Sequence, residues 1–166
     1  MHVGIKPLKN TSSGFAMLEV LITILLVSFG LLGLAGLQAA GLRYNHSSYL
    51  KSIATQEAYD IAERVRSNSG GVYNGATAAA TASCTTTAGC TPNEMAKNDI
   101  SVWQADIANL LPGGSGIICL DSTPNDGTSA APACDGAGSF AVKIWWDEKS
   151  SANASIQTNF TMSFQP

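Results

Sequence analysis

One carboxylate stands alone in the most apolar part of the chain. From Phe15 to Leu42 the sequence reads FAMLEVLITILLVSFGLLGLAGLQAAGL, and Glu19 is its sole charged residue. An ionised acid inside a membrane costs about 2.5–3.5 kcal/mol on insertion scales, so it is normally placed for a function. The only other residues whose types suggest chemistry are four cysteines, two histidines, three tryptophans and a pair of adjacent acids. His2 lies at the extreme N-terminus and His46 stands by itself on a polar stretch, which removes histidine-dependent triads and multi-histidine metal centres. No phosphate-binding or dinucleotide fingerprint occurs. Asp147-Glu148 reads as solvated acids in a turn. Trp103 and Trp146 read as core, and Trp145 as a ring covered by a loop or offered to a partner. The residues therefore predict no enzyme, no cofactor and no bound metal.

Composition narrows the class. The chain has 166 residues, 45% apolar and only 13% charged, with 9 basic against 12 acidic residues and a net charge of −3. That excludes a charge-rich disordered chain and argues against a nucleic-acid partner, which would need excess basic charge.

The apolar run is long enough to cross a bilayer as a helix. Ahead of it, MHVGIKPLKNTSSG carries Lys6 and Lys9 and no acid. Positive charge stays on the cytoplasmic side, which places the N-terminus inside and exports the rest. Three readings are open on physics alone. The run is a secretory signal cleaved near Ala39-Ala40-Gly41, or an uncleaved signal anchor, or an apolar segment retained after a short leader is cut ahead of it. A carboxylate at the entrance fits the third best.

The elements that must carry these residues follow from periodicity. Leu50, Ile53, Ala54, Glu57, Ala58, Ile61, Ala62 and Val65 recur at three and four, one stripe of an amphipathic helix over 43–67, with Glu57 near its edge. No proline interrupts Phe15 to Ser67, and a helix of that length would measure about 80 Å at about 1.5 Å per residue. Gly30, Gly33, Gly36 and Gly41 weaken its middle by roughly 0.5–1 kcal/mol each. A loop region is expected over 70–138. Within it, Thr91-Pro92-Asn93-Glu94 is a helix-start signal and a short helix is expected over 99–111, ended by Pro112-Gly113-Gly114. Strands are expected at about 116–121, 139–147 and 155–165. The last two alternate with period two and one buried face, with a turn over Asp147 to Asn153 between them. A long helix on a small antiparallel sheet is an α+β arrangement.

Cys84, Cys90, Cys119 and Cys134 all follow the apolar run. Their spacing lacks the tight C-x2-C pairs of zinc sites, and in an oxidising compartment two disulfides are expected. Of three connectivities, Cys84–Cys90 with Cys119–Cys134 is favoured because each bridge staples a loop poor in apolar residues, though sequence does not fix the pairing.

Ser13-Gly14-Phe15-Ala16-Met17-Leu18-Glu19-Val20-Leu21 resembles the processing site of type IV pilin precursors. The resemblance implies a leader, 1–14, cut after Gly14 by a prepilin peptidase. It implies a new N-terminus at Phe15 that is N-methylated, and Glu19 at the fifth mature position, pairing with a neighbouring subunit during assembly. Ala16-Met17 departs from the commoner Thr-Leu. Gly30-Leu31-Leu32-Gly33-Leu34-Ala35-Gly36-Leu37-Gln38 resembles the PilV family of minor pilins, also called type IV pilus modification proteins. Trp103 followed by Leu110-Leu111-Pro112-Gly113-Gly114, and Val142-Lys143-Ile144-Trp145-Trp146-Asp147, resemble later elements of that family.

What this implies is the type IV pilin fold, with 15–42 as transmembrane and filament-core helix and 43–166 as periplasmic domain. The implied role is structural, in pilus assembly. The implied partners are the prepilin peptidase, the inner membrane, the major pilin and other minor pilins, and the implied location is the inner membrane and then the fibre. A minor pseudopilin of a type II secretion system, or an adhesive module at a pilus tip, are the alternatives. Removing 1–14 leaves 7 basic residues against 12 acidic ones, net −5.

Overall fold

The computed structural model describes residues 13–150 and 154–166, for residues 13–15 the backbone only. Residues 1–12 of the expected leader, with His2, Lys6 and Lys9, lie outside the described residues, as do 151–153 of the expected turn. The layout is α+β: helix α1 (Ser13–Ser67), helix α2 (Pro92–Leu110) and strands β1 (Ser115–Asp121), β2 (Ser139–Lys149) and β3 (Ser155–Phe164). Packing divides the chain into two units, Met1–Asn45 and His46–Pro166.

In the first unit α1 exposes its apolar side chains, among them Leu21, Ile24, Leu26 and Phe29. It is the one described helix long and apolar enough to cross a membrane. Hydrocarbon would satisfy these side chains, and the helix satisfies its own backbone.

In the second unit the three strands form one antiparallel sheet in the order β1-β2-β3. Ile118 pairs with Val142, and Val142 with Met162. The core is built on one face of this sheet. Leu50, Ala54, Ala58, Ile61, Ala62 and Val65 of α1 pack with Ala96, Ile100, Trp103 and Ile107 of α2, and with Ile118, Val142, Ile144, Trp146 and Phe164 of the sheet. The alanines at 54, 58 and 62 recur every four residues, so one line along the helix carries no bulk and admits close neighbours. Trp103 is fully buried and donates from Nε1 to the Glu57 carbonyl at 2.9 Å, tying α2 to α1. Gly116 makes room for it, since a Cβ there would lie 2.6 Å from the indole ring.

Several expectations are corrected. Helix α2 starts at Pro92 rather than near Asp99. Thr91 and Glu94 close a reciprocal capping box at its start, and Pro92 occupies the first turn, where no N–H is needed. Asn98 and Asp99, which would compete with helix hydrogen bonding, are engaged elsewhere. Asn98 accepts from Thr81 N at 3.0 Å and Asp99 from the Tyr73 hydroxyl at 2.6 Å. Strand β2 continues to Lys149, so Asp147 and Glu148 lie in a strand, not a turn. The Asp147 N–H donates to the Pro112 carbonyl at 2.8 Å, and Glu148 accepts from Trp146 Nε1 at 2.8 Å. Glu57 is buried rather than at the edge of its stripe. Burial, then the negative charges of Asp106 and Asp60, push its carboxyl above the usual range. Finally, β2 is buried on both faces: Ala141, Lys143 and Trp145 are as inaccessible as Val142, Ile144 and Trp146.

Candidate functional site

Two regions carry the residues singled out above. On α1, Gly14 and Phe15 lie in the first turn by backbone, and Glu19 is one turn further on with its side chain exposed. The second region is the far side of the sheet. Here the segment 122–138 between β1 and β2 folds back as a strap. It touches every strand: Gly136 N donates to the Leu120 carbonyl of β1 at 3.0 Å, Lys143 of β2 reaches into it, and Gln157 Nε2 of β3 donates to Ser129 Oγ at 2.8 Å. This segment is what covers Lys143.

The sulfurs pair as Cys84–Cys90, closing the Thr-rich loop, and as Cys119–Cys134, tying the strap to β1. Closing a loop of about 15 residues this way is worth about 3 kcal/mol on the chain-entropy model. Cys119, Cys134 and Asp121 place potential ligand atoms within 4.8 Å of one another, but both sulfurs are bonded to each other and offer no thiolate. His46 is exposed. Trp145, 4% exposed, is covered and not offered to a partner.

The sequence reading missed the cluster under the strap. Lys143 is fully buried in the middle of β2. Its Nζ lies 2.5 Å from Asp121 Oδ2 and 3.0 Å from Asp126 Oδ1. It also donates to the Pro132 carbonyl at 2.7 Å and the Asp126 carbonyl at 3.2 Å. Burial works against the charge, but the carboxylates of Asp121 and Asp126 outweigh it and hold the lysine pKa above its ordinary value. Hydrogen bonds from Lys143 and then Thr123 hold the Asp126 carboxyl below its ordinary range. The available signal was a lysine between Val142 and Ile144 in a strand otherwise reading as core. A lysine buried in such a position needs paired oxygens.

A third acid, Asp135, closes the strap. Its carboxylate accepts from the Ser122 hydroxyl and from the N–H groups of Ser122 at 3.1 Å and Ala137 at 2.8 Å. The Ser122 hydroxyl and then the Ala137 N–H lower its pKa. A lowered acid contributes stability in full above its unfolded value, near pH 4, which is lost as pH falls through the folded value. The thermal midpoint of the full chain is therefore expected to fall as pH drops below about 4, with a shallower fall in Asp135→Asn. An unchanged acid limb in that variant would refute the assignment.

Around α2, Arg64 of α1 bonds Asp60 at 2.7 Å and approaches Asp99 at 3.6 Å, while Asp99 accepts from Tyr73. Burial and the Asp99 hydrogen bond push the Tyr73 phenol up. This group anchors the 68–76 turn.

Comparison of the chain with protein-family models, curated proteins and solved structures finds no match.

Proposed function

We propose that the chain is a minor pilin: a structural subunit that enters a type IV pilus through its N-terminal helix after its leader is removed. The observation that carries the reading is one of register. Gly14, Phe15 and Glu19 stand in the spacing of a prepilin processing site, on a basic leader, directly before a helix apolar enough to span a membrane. The α+β layout supports it. The second half of α1 packs on an antiparallel sheet, as a pilin domain requires. Two disulfides suit an exported domain.

On this reading the N-terminus is cytoplasmic, residues 43–166 are periplasmic, and 15–42 serve first as membrane anchor and then as filament core. Partners are the prepilin peptidase and the helices of neighbouring pilins. Glycines at 30, 33, 36 and 41, each with open space where a Cβ would stand, permit close helix approach there.

N-terminal sequencing or mass analysis of protein recovered from membranes is the test. N-methylated Phe15 at the terminus is the expected result, and replacement of Gly14 by a bulky residue is expected to leave the precursor uncut. A mature chain beginning at Ala40 or later would mean an ordinary secretory signal.

A further inference from the structure

We propose that Lys143 and Asp121 become joined by an amide bond, a covalent tie between β2 and β1 beneath the strap. The pair is fully buried, with side chains 1% and 0% exposed, and Nζ stands 2.5 Å from Asp121 Oδ2. The contact is an ion pair whose angles lie outside hydrogen-bond geometry. An ammonium has three N–H groups. Its hydrogen-bond acceptors are the Pro132 carbonyl, the Asp126 carbonyl and Asp126 Oδ1. Three oxygens thus stand within hydrogen-bond distance for the three N–H groups, and the nitrogen is at the same time held against the Asp121 carboxyl. Asp121 is held for attack as well. Its Oδ1 accepts from the Thr123 N–H at 2.9 Å, a donor placed to stabilise negative charge as that oxygen becomes an oxyanion.

The step is a condensation. Ammonium and carboxylates are the resting state, and the step proceeds from the minor form in which Asp126 Oδ1, 3.0 Å from Nζ, has taken a proton from the ammonium. The freed lone pair attacks Asp121 Cγ, and the Nζ–Cγ bond forms. The Cγ–Oδ2 bond breaks, and Oδ2 leaves as water carrying two protons of the former ammonium, one delivered through Asp126. Ammonium and carboxylate become amide plus one water, with no oxidant or reductant. In bulk water this equilibrium favours the separate ions. Here the two reacting side chains are fixed in contact and shut off from water, with the proton carrier Asp126 half exposed at their edge, which removes the entropic cost of meeting and weakens the solvation that favours ions.

Peptide mapping of the full chain, reduced and alkylated, reads the bond directly. No Lys or Arg lies between Lys97 and Lys143. A linked Lys143 is not a trypsin site, so the expected product is one peptide over 98–149, about 18 Da below its calculated mass for the loss of one water. Cleavage after Lys143, with 98–143 and 144–149 at full mass, overturns the proposal. Asp121→Asn is expected to link with loss of ammonia, about 17 Da. Lys143→Arg is expected to show no mass deficit while its far-ultraviolet dichroism stays that of a folded chain. Asp126→Ala, folded by the same measure and still held by Cys119–Cys134, is expected to accumulate the unlinked form. Linkage in Asp126→Ala at the parent rate would overturn the role of Asp126 as proton carrier.

Discussion

Glu19→Leu is expected to abolish pilus assembly while leaving a protein that is processed and held in the membrane more firmly than the parent. Removing the acid relieves about 2.5–3.5 kcal/mol of insertion cost, so the change favours the bilayer over the filament. Cleavage after Gly14 would create an amine on Phe15, one helical turn from Glu19. On the proposed reading, the acid of one subunit faces the amine of a neighbour, where a charge excluded from water finds its counterion. That pairing would set the axial stagger of the subunits, and leucine cannot supply it. Glu19→Gln keeps a polar contact without the charge and should fall between. The measurement is pilus content by shearing and immunoblot, with membrane fractionation and N-terminal analysis of the same cells. Wild-type piliation by Glu19→Leu, with the variant in the fibre, would confine Glu19 to peptidase recognition at most.

The second large effect concerns stability. Relative to the chain with its Lys143–Asp121 ion pair intact and unlinked, Lys143→Met should destabilise the 46–166 unit by about 3–5 kcal/mol, because it leaves the Asp121 carboxylate buried without its cation. On a unit of this size that corresponds to a fall in thermal midpoint on the order of 15 °C. The strap should loosen with it, since Asp126 and the Pro132 carbonyl lose the same partner. Replacing both charges, Lys143→Met with Asp121→Leu, should recover more than half of the loss, because no charge then remains buried without its partner. Thermal unfolding of the full chain in detergent reads both variants. Equal midpoints for the single and double variants would show that the unpaired acid is not the source of the effect.

The sequence by itself determined what depends on local pattern. The apolar run of α1 was legible because a span needs only length and the absence of charge, and the buried stripe from Leu50 to Val65 because spacing at three and four puts those residues on one face. The alternation of Phe140, Val142, Ile144 and Trp146 marked the core face of β2 for the same reason. The start of α2 was written in Thr91-Pro92-Asn93-Glu94, yet the helix was expected to be shorter. Asn98 and Asp99 look like helix-weakening residues until their partners, Thr81 and Tyr73, are known. Those partners are 17 and 26 residues away.

The tertiary structure alone decided what covers the second face of the sheet. Alternation says that Ala141, Lys143 and Trp145 share a face, but not that a loop without apolar periodicity folds over it. That outcome rests on long-range groups: the Cys119–Cys134 bridge, the three oxygens of Asp126 and Pro132 that meet Lys143 Nζ, and Asp121 from the neighbouring strand. A lysine in a strand reads as solvent-facing because an unpaired charge cannot be buried. Whether it is paired depends on side chains brought together only when the chain has folded, and here Asp121 and Asp126 come from the strand before it and from the strap above it.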